Sequence, residues 1–221
     1  MVAVAALGTV IAVRPPSDAT DFASVWRRCA VPGPMAVADT DRLIVDLPDN
    51  ANARAVEIAV TTRALHAAAG RMHLWHAAGI ATETGAVLAL VAASGAGKTT
   101  AAAALCRDGF GYVTDEALGV SADGRVLPYP KPLAVRLDSS SSAAKRLVGP
   151  DELGLAECPA ELRLGGIVVL RREPGQRVPT LERLPLVEAI LNLTCQSSGL
   201  ALMTEPLTSL CRLLDQLGGV H

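Results

Sequence analysis

Aromatic side chains are nearly missing from this 221-residue sequence: two Phe, two Trp and two Tyr make up 3% of it, although half of the residues are hydrophobic. Its core must therefore be built from Ala, Val and Leu. Charge of one sign is missing too. Twenty Lys and Arg stand against 22 Asp and Glu, for a net charge of −2, and no basic run is long enough to track a phosphate backbone. Nucleic acid is excluded as a main partner. The five cysteines (Cys29, Cys106, Cys158, Cys195, Cys211) never form a C-x-x-C pair. This argues against both a disulfide framework and a zinc site, and for a reducing compartment. No apolar run reaches the ~18 residues that a membrane span needs, so no membrane association is expected. The apolar start "MVAVAALGTVIAV" has no basic residues before it and runs into Arg14-Pro15-Pro16. It reads as a buried strand rather than a signal peptide. A cytoplasmic protein is expected.

The length suits one core of ordinary size with a small appendage. Residues 1–50 carry short β-branched runs ("GTVIAV", "RLIVDLP") between Pro, Gly and Asp punctuation, which predicts a small β-rich subdomain; residues 51–221 then form the main domain. Helical spacing of Val56, Ala59, Val60, Ala64 and Ala67 predicts a helix over about 52–69, capped by Asp49 or Asn50 and ended by Gly70. A strand over 72–81, a turn at Glu83-Thr84-Gly85 and an apolar strand over 86–92 follow. An Ala-rich helix over 98–107 and the strand "FGYVTDE" complete a βαβ unit. Farther on, "SADGRVLPYPKPLAVRL" predicts a hairpin and a proline-stiffened extension, and 138–155, including Ser139 to Ser142, a loop. "GGIVVLRRE" predicts a strand, and 185–195 and 206–217 predict helices, the last with Leu207, Leu210, Leu213, Leu214 and Leu217 on one face. The class expected is α/β.

One segment carries chemistry. "VAASGAGKTT" (91–100) follows an apolar strand and opens a helix, the setting in which a glycine-rich loop cradles phosphate on its backbone N–H groups. Ser94, Gly95, Ala96, Gly97, Lys98, Thr99 and Thr100 are the expected nucleotide-binding residues. Lys98 would neutralise phosphate and Thr99 hold Mg²⁺. The first glycine of the usual G-x-x-x-x-G-K-[ST] pattern is replaced by Ala92, a small cost if its φ is negative. Asp115-Glu116, at the carboxyl end of the next strand, would face the same crevice. One carboxylate can hold Mg²⁺ and the other accept a hydroxyl proton; alternatively the pair is only a solvated strand end. His76 is either packing beside Trp75 or part of the site, whereas His66 and His73 read as structural. Lys131 and Arg136 either neutralise phosphate or are basic residues on an exposed loop and strand.

Together, "SGAGKTT" and the "GFGYVTDE" beyond a short helix resemble the HPr kinase/phosphorylase superfamily, whose nucleotide core also resembles ATP-dependent phosphoenolpyruvate carboxykinase. "LPYPKPLAVR" is similar to HPr-kinase-like proteins of peptide natural-product clusters, including kinases that phosphorylate a serine of lasso-peptide precursors. The resemblance covers roughly residues 50–195. It implies a P-loop kinase core using ATP (or GTP) and Mg²⁺, with Asp115 as catalytic base, Lys98 on the transferred phosphate and His76 near the acceptor. Thr99, Asp115 and Glu116 are the implied metal ligands, Glu116 standing where the family has a second aspartate. The implied acceptor is a serine of a peptide or small protein, and a homo-oligomer is compatible with it. The family's later arginine–glycine signature has only a distant counterpart in "ELRLGGIVV", so phosphorolysis is not implied. A catalytically silent nucleotide-binding module and a small-molecule kinase are the alternative readings.

Overall fold

The structure, a computed structural model, describes residues 1–15, 21–32, 43–48, 50–136, 145–173, 175–176 and 178–221. Its first 50 residues supply β1 (Val2–Ala6), β2 (Thr9–Val13), a one-turn helix α1 (Phe22–Val25) and β3 (Ile44–Val45). The strands form a three-stranded sheet in that order, as the β-branched runs predict. Helix α2 (Ala53–Ala68) follows. Its cap is Asn52, whose side chain accepts from the Ala55 amide at 2.9 Å, and not Asn50; Asp49 lies outside the described residues. A side-chain oxygen at that position satisfies one of the amides left over in the first turn.

The predicted strand over 72–81 is two strands, β4 (His73–Trp75) and β5 (Ala77–Ala81), broken at His76. β6 (Ala86–Val91), α3 (Lys98–Arg107) and β7 (Gly111–Thr114) follow as expected. The chain continues as a hairpin of β8 (Leu118–Val120) and β9 (Val126–Leu127), then β10 (Leu133–Arg136). The predicted loop over 138–155 contains a strand, β11 (Lys145–Val148), paired with β10; Ser139 to Ser142 lie outside the described residues. β12 (Ala156–Glu157), β13 (Arg163–Val169), α4 (Leu186–Cys195), β14 (Ser197–Ser198) and α5 (Pro206–Leu217) complete the chain. In α5, Leu210, Leu213 and Leu214 are buried as expected, but Leu207 is exposed.

The central sheet has the order β12-β7-β5-β6-β13. β5 is antiparallel to both β6 and β7, so those two run parallel to each other with β5 between them. Apolar residues on both faces of each strand make this a three-layer α/β arrangement. Ala78, Ile80, Leu90 and Tyr112 pack on one face with Ala102 and Cys106 of α3. Ala77, Val87, Ala89, Val91 and Val113 pack on the other with Ala189 and Leu193 of α4 and Leu210, Leu213 and Leu214 of α5. Alternation within each strand puts neighbours on opposite faces, which explains why β6 reads as an unbroken apolar run.

A second sheet, β14-β4-β8-β9, continues the first. β4 precedes β5 across His76, and β8 follows β7 across residues 115–117. In register, Gly79 lies opposite Thr114 and Trp75 opposite Leu118. The two interruptions are therefore side by side, and they open at the edge where β6 and β7 end. A third core joins the first three strands to α2: Val4, Ile11, Val13, Trp26 and Val45 meet Val56, Val60, Ala64, Met72, Leu74 and Tyr129. Among the described residues, no helix is long and apolar enough to cross a membrane, and all five cysteines are free.

Candidate functional site: a phosphate-type loop facing a buried acid–lysine cluster

The parallel course of β6 and β7 brings the loop after β6 and the acidic pair after β7 to one edge of the sheet. Within the loop, Gly95 and Gly97 have φ of +85° and +106°. These left-handed conformations strain any side chain. Gly97 caps α3 without a side-chain hydrogen bond to the helix, so the first-turn amides, which lack intrahelical partners, have no side-chain cap. Among the described residues, only Leu7 and Glu205 are non-glycines with positive φ. Ala92 thus has ordinary backbone, and it is buried at the end of β6. A methyl is accommodated where the usual pattern has glycine.

Lys98 opens α3 and bends back over the loop. Its Nζ donates to the carbonyls of Ala92 at 2.6 Å and Ala93 at 3.1 Å. Two of three ammonium hydrogens are so used. Burial lowers the Lys98 pKa, against the pull of Glu116 and Asp115. Thr99, one residue on, donates its hydroxyl to Asp115 Oδ2 at 3.1 Å. Loop and acidic pair are in direct contact through this bond.

Asp115 is nearly buried, and its other oxygen faces inward. Oδ1 lies 3.0 Å from Lys131 Nζ and 3.2 Å from the Tyr112 hydroxyl. That hydroxyl is also 3.2 Å from the Lys131 carbonyl and donates to one acceptor at a time. Lys131 is only 1% exposed. It is not on an exposed loop, as one sequence reading allows, and its charge is met by acids. Besides Asp115, its Nζ lies 2.9 Å from Glu57 Oε1 and 3.1 Å from Glu116 Oε2. Burial disfavours the ammonium, but Asp115, Glu57 and Glu116 outweigh it and raise the Lys131 pKa. Arg54, one turn before Glu57 on α2, pairs with Glu57 and stands 4.0 Å from Glu116.

Glu57 is wholly buried. Burial pushes its pKa up to about 7, with Glu116 adding to the rise and Lys131 opposing it. For Glu116, burial also opposes charge, but Lys131, a hydrogen bond from Glu57 and Arg54 pull it down to about 2. Of the two acids, Glu57 is thus the one that keeps its proton to higher pH. Between pH 4.5, its ordinary value, and about 7, native Glu57 holds a proton that the unfolded chain has released. Its contribution to stability is complete below that window and declines as pH rises through about 7. The decline amounts to at most ~3 kcal/mol, each pH unit across the window counting for about 1.4 kcal/mol. Glu57→Gln, which mimics the protonated acid, is expected to flatten this decline in urea-unfolding midpoints measured across the window.

His76 stands at the break between β4 and β5. A carbonyl only accepts, so the 3.2 Å contact to Glu116 O assigns the proton to Nδ1 and a free lone pair to Nε2. Burial, then Lys98, lowers its pKa, and the ring is neutral near pH 7. Its backbone amide donates to Gln196 O at 2.7 Å. Of the other three histidines, His66 and His221 are exposed, while His73 is buried, with Nε2 2.9 Å from Ser209 Oγ and its ring stacked on Trp75; none belongs to the site. The backbone of Arg136 lies in β10, and its side chain is outside the described residues.

The structure thus brings together the loop, Lys98, Thr99, Asp115, Glu116 and His76, all at one sheet edge. Sequence reasoning missed Glu57, Tyr112 and Arg54. A signal for Glu57 exists: it shares the core-facing stripe of α2 with Val56, Val60, Thr61 and Ala64. A carboxylate on such a stripe requires a buried partner. No profile of a known protein family matches the chain, and no curated protein does. The functional reading therefore rests on motif and geometry.

Proposed function

We propose that the chain is an ATP- and Mg²⁺-dependent kinase with a P-loop core of the HPr-kinase and phosphoenolpyruvate-carboxykinase type. It transfers the terminal phosphoryl group to a serine hydroxyl of a peptide or small protein. The observation that carries this reading is the 3.1 Å contact of Thr99 with Asp115 Oδ2. It joins a phosphate-type loop to a nearly buried carboxylate.

The loop amides at the start of α3 hold the phosphates, and the third ammonium hydrogen of Lys98 reaches the transferred group. Thr99 Oγ1 and Asp115 Oδ2 are hard oxygen donors facing one another, a set that suits Mg²⁺ completed by nucleotide phosphate oxygens and water. Bound there, the ion supplies neutralising charge to the phosphates. Asp115 takes the serine proton as the serine Oγ forms a bond to the γ-phosphorus. The bond from that phosphorus to the β,γ-bridging oxygen breaks, and ADP leaves with its electron pair. Little covalent chemistry is asked of the protein, and catalysis is placement plus electrostatics. Neutral His76 borders the acidic pair, with Nε2 free to accept a hydrogen bond from the incoming serine.

The test is incubation with γ-labelled ATP, Mg²⁺ and peptides that differ only in Ser, Thr or Ala at one position. Transfer of label to the serine peptides is expected. Tight nucleotide binding with no transfer to any acceptor would identify a binding module instead, and transfer to free sugars or nucleosides a small-molecule kinase.

A further inference from the structure

Lys131 is the most fully engaged side chain near the site, and nothing in the transfer step uses it. Four oxygens lie within 3.1 Å of its Nζ: Glu57 Oε1 at 2.9 Å, Asp115 Oδ1 at 3.0 Å, Glu116 Oε2 at 3.1 Å and the Pro132 carbonyl at 3.1 Å. The segment that delivers it is stiff. Pro130 and Pro132 flank it and fix φ at their own positions. Tyr129, two residues before, hydrogen-bonds Thr61 Oγ1 of α2 at 3.0 Å, one turn from Glu57. The lysine is held by its backbone as firmly as by its charge.

We propose that Lys131 is a built-in cation occupying the position a second divalent ion would need, so that this site works with one metal ion. The proposal rests on the phosphotransfer reading, in which Thr99 and Asp115 hold Mg²⁺. Asp115 divides its oxygens. Oδ1 is committed to Lys131 and Tyr112, and Oδ2 faces Thr99. Glu116 directs Oε2 to Lys131 and, at 4.0 Å, to Arg54. The two carboxylates that would bridge a pair of metal ions therefore already share a monovalent one. Like-charged carboxylates this close repel strongly away from water, and a cation must stand between them. An ammonium fixed by the fold does this at any metal concentration, which a second Mg²⁺ cannot. Lys131 touches neither phosphate nor acceptor in this arrangement and is a positioning residue: it fixes the Asp115 rotamer and leaves Oδ2 to serve both the metal ion and the serine proton, one lone pair for each. Glu116, which the sequence makes a metal ligand, is assigned here to Lys131.

Electron paramagnetic resonance with Mn²⁺ and β,γ-imido-ATP counts the ions directly. One tightly bound Mn²⁺ per nucleotide-loaded chain is expected for the wild type, and two for Lys131→Met. Lys131→Arg is expected to return the count to one. In parallel, Lys131→Met should lose about 10²-fold in turnover at low Mg²⁺, the size of effect that follows loss of a preorganised charge, and recover much of it as Mg²⁺ rises. Should Lys131→Met fold poorly, Lys131→Gln, which keeps a neutral hydrogen-bond donor among the acids, serves for the same count. Two Mn²⁺ in the wild type overturn the proposal and leave the kinase reading standing. So does one Mn²⁺ in Lys131→Met with an unchanged Mg²⁺ dependence. Failure of the wild type to bind the nucleotide analogue sinks both.

Discussion

Asp115→Asn is expected to slow phosphotransfer by ~10³-fold, within the 10²–10⁴ that a positioned general base supplies, while nucleotide remains bound. Asparagine preserves the shape of the side chain but cannot accept the serine proton. Nor can it present a carbonyl oxygen to the loop. The groups facing Oδ1, the Lys131 ammonium and the Tyr112 hydroxyl, are hydrogen-bond donors. They hold the amide oxygen inward and turn the NH₂ group towards Thr99. A donor then stands where the mechanism needs an acceptor. In the proposed mechanism nucleotide is held chiefly by the loop amides and Lys98, and a loss of ~10-fold in affinity corresponds to one hydrogen bond or metal contact. Single-turnover kinetics and calorimetric titration with ATP separate the two effects. Wild-type transfer by Asp115→Asn would falsify the assignment of Asp115 as base.

Lys98→Ala is expected to abolish detectable turnover and to weaken nucleotide binding together, in contrast to Asp115→Asn. Removing one preorganised electrostatic contact from the transition state costs ~10²–10³ in kcat. Here the same ammonium also orders the loop, through the carbonyls of Ala92 and Ala93. The Ala92 carbonyl belongs to a residue only 3% exposed. Leaving a buried acceptor without its donor costs ~1–3 kcal/mol, so thermal stability should fall too. Lys98→Arg is not expected to rescue activity, because a planar guanidinium does not replace a compact ammonium at this position. Retained nucleotide affinity in Lys98→Ala, measured on protein with a native circular-dichroism spectrum, would show that the loop does not hold phosphate through Lys98.

What could be read from the sequence divides by range. The course from β6 through the loop and α3 to β7 was legible because each signal is local. These signals are an apolar run, glycines at left-handed positions, an Ala-rich stretch and Gly109 after it. The break at His76 was not legible, since it is set by pairing of β4 and β5 with strands some 40 residues away, as in the His76–Glu116 contact. Strand β11 was hidden for another reason: its partner β10 is near in sequence, but Lys145 and Arg146 open it without a β-branched run of its own. Lys131 stayed open between a phosphate partner and surface charge because Glu57, the partner that buries it, lies far back in the chain on a different element. Asn52 outcompetes Asn50 as cap because the first turn begins at Ala53, a matter of local backbone geometry. The acidic pair and the lysine of the loop needed no such knowledge, since strand direction alone placed them together.

Helix α2 serves two neighbourhoods at once. One stretch of it packs Val56, Val60 and Ala64 into the core shared with β1, β2 and β3, and the same turns send Glu57 and Thr61 to Lys131 and Tyr129. The opening strands, α2 and the proline strap of residues 129–132 consequently pack as one unit. A chimera that exchanges the first 68 residues with those of a homologue must carry residues 129–132 with them, or the charge behind the acidic pair loses its counterpart. Crossover points that spare the acid–lysine cluster lie beyond Pro132, where the strap ends.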